Sequence, residues 1–221
     1  MVTLAVACRS IVKAAAPPWG HVDLPTVFPR VSSMGMPVSK ARYTADDLEA
    51  MPDDGNRYEI IDGELFVTPA PATRHQWALM RLVARLLPWC DSVGRALFAA
   101  PTDVQASRLS QVEPDLFVVP RAVVFEGNQR WVPMDSLLLA VEILSPSTRR
   151  LDRKLKRTLY LGEGVPEYWI VDLDARTFGV WRPGASMADM QRESLIWHPS
   201  PDREPLVIDL VEYFREVLGS A

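Results

Sequence analysis

The stretch Leu138-Leu139-Ala140-Val141-Glu142-Ile143-Leu144-Ser145-Pro146 decides how this chain is read. It is apolar without alternation, as a strand covered on both faces is, yet a carboxylate stands in its middle. An ionised carboxylate is costly to bury unless a cation sits beside it, so Glu142 needs a partner. Cations follow at once: Arg149, Arg150, Arg153, Lys154, Lys156 and Arg157 place six within nine residues. They lie on a segment that reads as a helix from about Asp152 to Glu163, ended by Gly164 and Pro166. Tyr168 to Val171 is the next strand, paired through a turn at Asp174-Ala175-Arg176 with Phe178 to Trp181. A strand, a helix and a further strand in that order make a crossover.

Working outward, Asp62-Gly63 separates two β-rich runs in Tyr58-Glu59-Ile60-Ile61-Asp62-Gly63-Glu64-Leu65-Phe66-Val67 and predicts a type I′ hairpin. Thr44, followed by Asp46 and Asp47, predicts the cap and acidic first turn of a short helix ending near Pro52. Thr73 is expected to cap a helix to about Leu87, with Leu79, Leu82, Val83 and Leu86 at helical spacing. Further strands are expected at Ala96 to Ala100, Asp115 to Val119 and Leu137 to Leu144, and a closing helix at Leu210 to Leu218. Two hairpins and one crossover predict an α/β or α+β fold, a mixed β-sheet flanked by helices. Residues 1–40 carry Pro17, Pro18, Pro25, Pro29 and Pro37 with no sustained period, so they are expected to be a poorly ordered extension. Residues 41–221 then form a single domain. Met34 and Met36 stand just before the patterned region and leave open where the functional chain begins.

The 221 residues, 48% hydrophobic, are enough for a core that needs no staple. Cys8 and Cys90 are too few for a disulfide framework or a multi-cysteine zinc site, and a reducing, cytoplasmic setting is expected. No apolar run approaches the roughly 20 residues that span a bilayer, so no membrane partner is expected. A net charge of -4 argues against coating nucleic acid by bulk electrostatics, while the basic segment remains a local patch suited to a polyanion. A phosphate-binding NTPase is disfavoured because no glycine-rich strand-to-helix loop occurs. Serine or cysteine hydrolysis lacks a nucleophile elbow, and only His21, His75 and His198 could serve as bases.

A second carboxylate, Asp115, opens a β-rich run after Pro114. Two strand-borne carboxylates that meet across a sheet suit Mg²⁺, a hard cation that takes oxygen ligands and keeps several waters. The same spacing fits a strand-entry turn at Asp115 and a structural ion pair at Glu142. On an α-helical wheel Leu151, Leu155 and Leu159 form the buried stripe, Lys156 and Lys154 lie on opposite flanks, and Arg153 and Arg157 face outward. Either lysine then reaches a neighbouring site, or the helix is a solvated face with Asp152 and Lys156 as an i, i+4 pair. His75 is expected as an auxiliary phosphate contact or proton donor, or as a capping residue.

These residues carry a resemblance. Tyr58-Glu59-Ile60-Ile61-Asp62-Gly63-Glu64-Leu65, Glu113-Pro114-Asp115-Leu116, Val141-Glu142-Ile143-Leu144-Ser145-Pro146-Ser147-Thr148 and Gly164-Val165-Pro166-Glu167-Tyr168-Trp169-Ile170-Val171-Asp172 resemble, in order and spacing, the Uma family of proposed restriction endonucleases within the PD-(D/E)XK nuclease superfamily. The likeness covers about residues 43–185. It implies a restriction-endonuclease-like fold and hydrolysis of phosphodiester bonds in DNA by a Mg²⁺- or Mn²⁺-dependent endonuclease. Matched by position, Asp115 and Glu142 are the metal-holding carboxylates and Glu59 a further acidic site residue. The superfamily's usual lysine would stand at Leu144; the resemblance moves it into the next helix, to Lys156, with Lys154 as the other choice. Arg149, Arg150, Arg153, Lys154 and Arg157 become the expected nucleic-acid contacts. The same residues would serve RNA cleavage, or a catalytically inactive DNA-binding or regulatory module. A homodimer is expected by analogy, since cutting both strands of a duplex takes two sites.

Overall fold

The Asp62-Gly63 dipeptide makes the tight turn its chemistry favours. In the computed structural model, which describes residues 42–125 and 130–219, Asp62 has φ 52° and Gly63 φ 79°, the left-handed pair of a type I′ turn. The turn joins β1 (Arg57–Ile61) to β2 (Glu64–Thr68), with Ile61 opposite Glu64. A Cβ on Gly63 would stand 2.8 Å from Arg42 Cβ, so glycine is required for space as well as for backbone angle. Upstream is α1 (Ala45–Leu48), where the Thr44 N–H and hydroxyl both donate to Asp47, at 2.6 and 2.9 Å. The expected extension over residues 1–40, with its alternative starts, lies outside the described residues.

The helix after the first hairpin, α2 (Thr73–Ser92), differs at both ends from its expected span. Ala72 takes the cap position in extended conformation, and Thr73 is the first helical residue. At the other end the helix runs through Pro88. A mid-helix proline ordinarily kinks or breaks a helix, but here the last turn is held from outside. Cys90 is wholly buried, and the Trp89 indole N–H donates to the Glu204 carbonyl at 2.9 Å. Leu79, Leu82 and Leu86 are buried at the expected spacing, and Val83 packs against the same cluster.

The strands that follow are β3 (Arg95–Ala99), β4 (Asp103–Ser107), β5 (Ser110–Val112), β6 (Leu116–Pro120), β7 (Trp131–Pro133) and β8 (Leu139–Ile143). A π-helical stretch, Leu151–Lys156, then runs directly into α3 (Arg157–Gly162). The chain closes with β9 (Tyr168–Asp172), β10 (Thr177–Trp181), β11 (Asp189–Gln191), β12 (Ser194–Trp197), β13 (Leu206–Asp209) and α4 (Leu210–Leu218). Six strands form the main sheet in the order β11-β10-β9-β8-β6-β3. Every residue of β8 is buried, and the strand runs parallel to β9 and antiparallel to β6, as the crossover requires. A second sheet, β2-β1-β5-β4-β7, was not expected from the sequence. Its strands β4, β5 and β7 have three to five residues and include Gln105 and Gln111, too short and polar for a clear period.

One face of the main sheet packs Val141 and Trp169 against Leu82 and Leu86 of α2, Phe214 of α4 and Trp197 of the β12-β13 ribbon. The other face packs Phe117, Ala140 and Tyr168 against Val104 and Val112 of the second sheet and Tyr160 of α3. The mixed α/β architecture expected from the sequence is therefore present, with a sheet where only helices were foreseen. Among the described residues no helix is long and apolar enough to cross a membrane.

The basic helix departs from its wheel. Across Leu151–Lys156 the turns are wider than in an α-helix, and the Arg157 N–H reaches back five residues to the Asp152 carbonyl. The phase of the side chains slips with each wide turn. Leu155, expected in the buried stripe, is 41% exposed, whereas Asp152 and Lys156, expected as a surface pair, are wholly buried.

Candidate active site

Antiparallel pairing sets Leu116 of β6 opposite Val141 of β8. One step along, the same register sets Asp115 opposite Glu142, so both carboxylates project from one face of the main sheet. Both line a cleft of about 160 Å³, with Arg57 and His75 on one side and the loop Ser145 to Thr148 on the other. The expected meeting of the two strand-borne carboxylates is what the register produces.

Asp115 is densely bonded. Its Oδ1 accepts both terminal guanidinium N–H groups of Arg57, each at 3.2 Å. Its Oδ2 accepts the Ile143 N–H at 2.8 Å and pairs with His75 Nε2 at 2.9 Å. Burial opposes ionisation of Asp115, but His75, Arg57 and the Ile143 N–H outweigh it and hold the carboxyl below its ordinary range. Glu142 is the opposite case. Burial pushes its carboxyl well above the ordinary range; Lys156 opposes this, while Asp115, Asp152 and Glu59 reinforce it. Its Oε1 accepts from Lys156 Nζ at 2.9 Å and from the Tyr160 hydroxyl at 3.2 Å.

Lys156 is the hub of a buried ionic cluster. Its ammonium lies 2.7 Å from Glu59 Oε1, 2.9 Å from Glu142 Oε1 and 3.8 Å from Asp152 Oδ1. Burial works against its charge, but Glu142, Glu59 and Asp152 more than compensate, so it stays an ammonium. Glu59 Oε1 also accepts the Glu113 N–H at 2.8 Å. Burial raises Glu113 to about 7 against the pull of Arg57, and Asp152 to about 6 against that of Lys156. Lys156 does not line the cleft: it stands behind Glu142, within the protein. Its contacts are with the carboxylates.

The remaining expected residues divide. His75, expected as an auxiliary phosphate contact or proton donor or as a cap, is buried within α2 and bonded to Asp115. Arg149 and Arg153 are engaged by Asp172, at 3.4 and 2.7 Å, and Arg149 also by Asp174 at 3.0 Å. The Arg157 guanidinium lies 4.3 Å above the Trp181 ring. Arg150 and Lys154 are exposed and have no ion-pair partner among the described residues. Sequence reasoning missed Arg57 and Tyr160. Period gave a signal for each, since Arg57 shares a strand face with Glu59, and Tyr160 lies one helical turn beyond Lys156.

The donor set can be tested against a divalent cation. Four buried carboxyl groups, Glu59, Asp115, Glu142 and Asp152, face two permanent cations, Arg57 and Lys156, so full ionisation would leave two negative charges uncompensated. Among the described residues no three His, Cys, Asp or Glu side chains converge to hold a metal alone. Mg²⁺ asks for less, one or two carboxylates with waters completing its shell. Asp115 and Glu142 fit that demand in chemistry and in charge.

A family model, Uma2, described as "Putative restriction endonuclease", matches residues 45–207. No curated protein sequence matches the chain. Among solved structures, "a putative nuclease belonging to DUF820" from Anabaena variabilis ATCC 29413 superposes with a TM-score of 0.65 at 17% identity, covering 79% of this chain and 99% of that one. That likeness is one of fold.

Proposed function

The chain belongs to the Uma2 family, and from this premise we propose that it is a divalent-cation-dependent endonuclease that hydrolyses phosphodiester bonds in DNA. The observation that carries the reading is the opposition of Asp115 and Glu142 at one cleft, with a buried ammonium bonded to Glu142. Asp115 and Glu142 would hold the cation, which when bound supplies Lewis-acid polarisation of a phosphoryl oxygen and a more acidic water. Arg57 and His75 fix Asp115 in ionised form and lie where a phosphate entering the cleft meets them. Lys156, with Glu59 behind it, fixes the Glu142 carboxylate and is a positioning residue. The Ser145 hydroxyl, bonded at 2.9 Å to those of Ser147 and Thr148, offers with them further donors lining the cleft.

One observation favours a second reading, a nucleic-acid-binding module without cleavage: four hydrogen bonds already occupy Asp115. A cation there displaces at least one of them. Incubating the full chain with supercoiled plasmid, and in parallel with RNA, in Mg²⁺, Mn²⁺, Ca²⁺ or chelator separates the readings. Metal-dependent nicking of plasmid that disappears in Glu142→Gln is expected. Binding with no cut under any metal would leave the non-catalytic module, and cleavage of RNA alone would change the substrate.

A further inference from the structure

A second pocket, of about 190 Å³, opens on the same face of the main sheet. Register fixes how far it stands from the carboxylates. Glu142 pairs with Ile170, and Ile170 with Gly179 on the next strand. Paired residues share a face, and strands lie about 4.8 Å apart. Ile170 and Gly179, both lining this pocket, therefore lie about 5 and 10 Å from Glu142 along one row. Gly179 contributes no side chain, and Ala188 Cβ and Met190 Sδ pack within 3.4 Å of where its Cβ would stand.

Three features say what such a pocket would hold. Thr177 lines it, is 1% exposed, and its hydroxyl has no hydrogen-bond partner. A buried hydroxyl left unpaired is unfavourable, and it can both donate and accept. Beside it, the Arg157 guanidinium carbon stands 4.3 Å from the centre of the Trp181 ring, and arginine and aromatic side chains are groups on which bases stack. The wall also carries Arg153, whose partner Asp172 additionally accepts the N–H groups of Asp174 and Ala175, at 3.1 and 3.0 Å. Arg149, Arg153 and Arg157 outnumber Asp172 and Asp174, so the local charge favours an anion. The volume is below the roughly 300 Å³ at which drug-sized sites begin, and suits one planar unit.

We propose that this pocket is a nucleotide subsite. It takes one base of the bound strand against Arg157 and Trp181, with Thr177 bonded to the base edge and the adjoining phosphate on Arg153 and Arg157. At about 3.4 Å of helical rise per stacked base, about 10 Å corresponds to at most about three nucleotides between that base and the phosphate in the Asp115–Glu142 cleft. The subsite then sets the shortest strand the protein grips well. This rests on the nuclease reading above.

The test is anisotropy of fluorescently labelled oligothymidylates, two to eight nucleotides long, with the full chain in Ca²⁺ and in chelator. Affinity is expected to rise in a step once the strand spans cleft and pocket, by about 5- to 150-fold for one stacked base. Thr177→Val, close in shape to the native residue, and Trp181→Leu should each remove most of that step and leave the shortest oligomers unaffected. A smooth rise with length, or a step unchanged in Thr177→Val, overturns the subsite and leaves the nuclease reading standing. If wild type binds no oligomer of any length, the subsite falls, and the plasmid assay decides the nuclease reading separately.

Discussion

Lys156 holds three carboxylates from a fully buried position, and removing it leaves them without their bonded counter-charge. Breaking a buried ion pair on one side costs about 3–5 kcal/mol. Lys156→Ala should therefore be strongly destabilised in urea titrations, whereas Lys154→Ala, on the exposed side, should stay within about 0.5 kcal/mol of wild type. A surface i, i+4 pair would have given the two variants the same small effect. Asp152 supplies a test by pH. Its folded-state value, about 6, exceeds the ordinary 3.8, with burial as the main cause and Lys156 as the main opposing charge. The native state binds its proton more readily than the unfolded chain does, so stability falls as pH rises from about 4 to 6, and the deficit persists above that. Asp152→Asn removes the deficit. It should be more stable than wild type by on the order of 1–3 kcal/mol at pH 7–8, with the advantage vanishing below pH 4 in thermal melts.

At the level of elements, what could be read from the sequence followed the range of the cause. The hairpin at Asp62-Gly63 and the turn ending at Arg176, which has φ 51°, are fixed by two or three neighbouring residues and were legible. Strand β8 was legible because its apolar run is unbroken except at Glu142. The second sheet was not, because β4, β5 and β7 owe their pairing to partners distant in sequence. Asp115 and Glu142 could be picked out as residue types at strand positions. The burial of Lys156 could not, because it depends on the wide turns of Leu151–Lys156, and no wheel drawn at α-helical pitch contains them. The cations of this helix now separate into two sets. Replacing Arg150 and Lys154 together with Gln should lower the salt dependence of DNA binding by roughly one unit of slope per lost phosphate contact, with an unchanged melting temperature. Replacing Arg149 and Arg153 should also lower the melting temperature, because the buried Asp172 then loses both guanidinium partners.

Over the whole molecule, a cation held at the proposed Asp115 and Glu142 site would link folding to cations. A divalent ion that binds only the native state adds stability as RT ln(1 + [L]/Kd), about 1.4 kcal/mol at ten times Kd. Wild type should melt a few degrees higher in Mg²⁺ or Mn²⁺ than in chelator, and Glu142→Gln should show no such rise. Failure of wild type to respond would mean the carboxylates settle their charge with protons. The wide turns also determine where the chain tolerates a change of length. Residues five apart, Leu151 and Lys156, are both buried there, whereas in an α-helix that alignment belongs to residues four apart. Deleting Leu155, which is exposed, would let an α-helical ladder close with Leu151 and the lysine still in phase and the lysine-to-Tyr160 spacing intact. Deleting Thr158, one turn later, would rotate the lysine about 100° relative to everything downstream. A deletion scan through residues 151–162 should therefore find tolerance confined to the exposed positions 153–155 amid unfolded products, so that a natural variant shorter by a residue here could keep its lysine on Glu59 and Glu142.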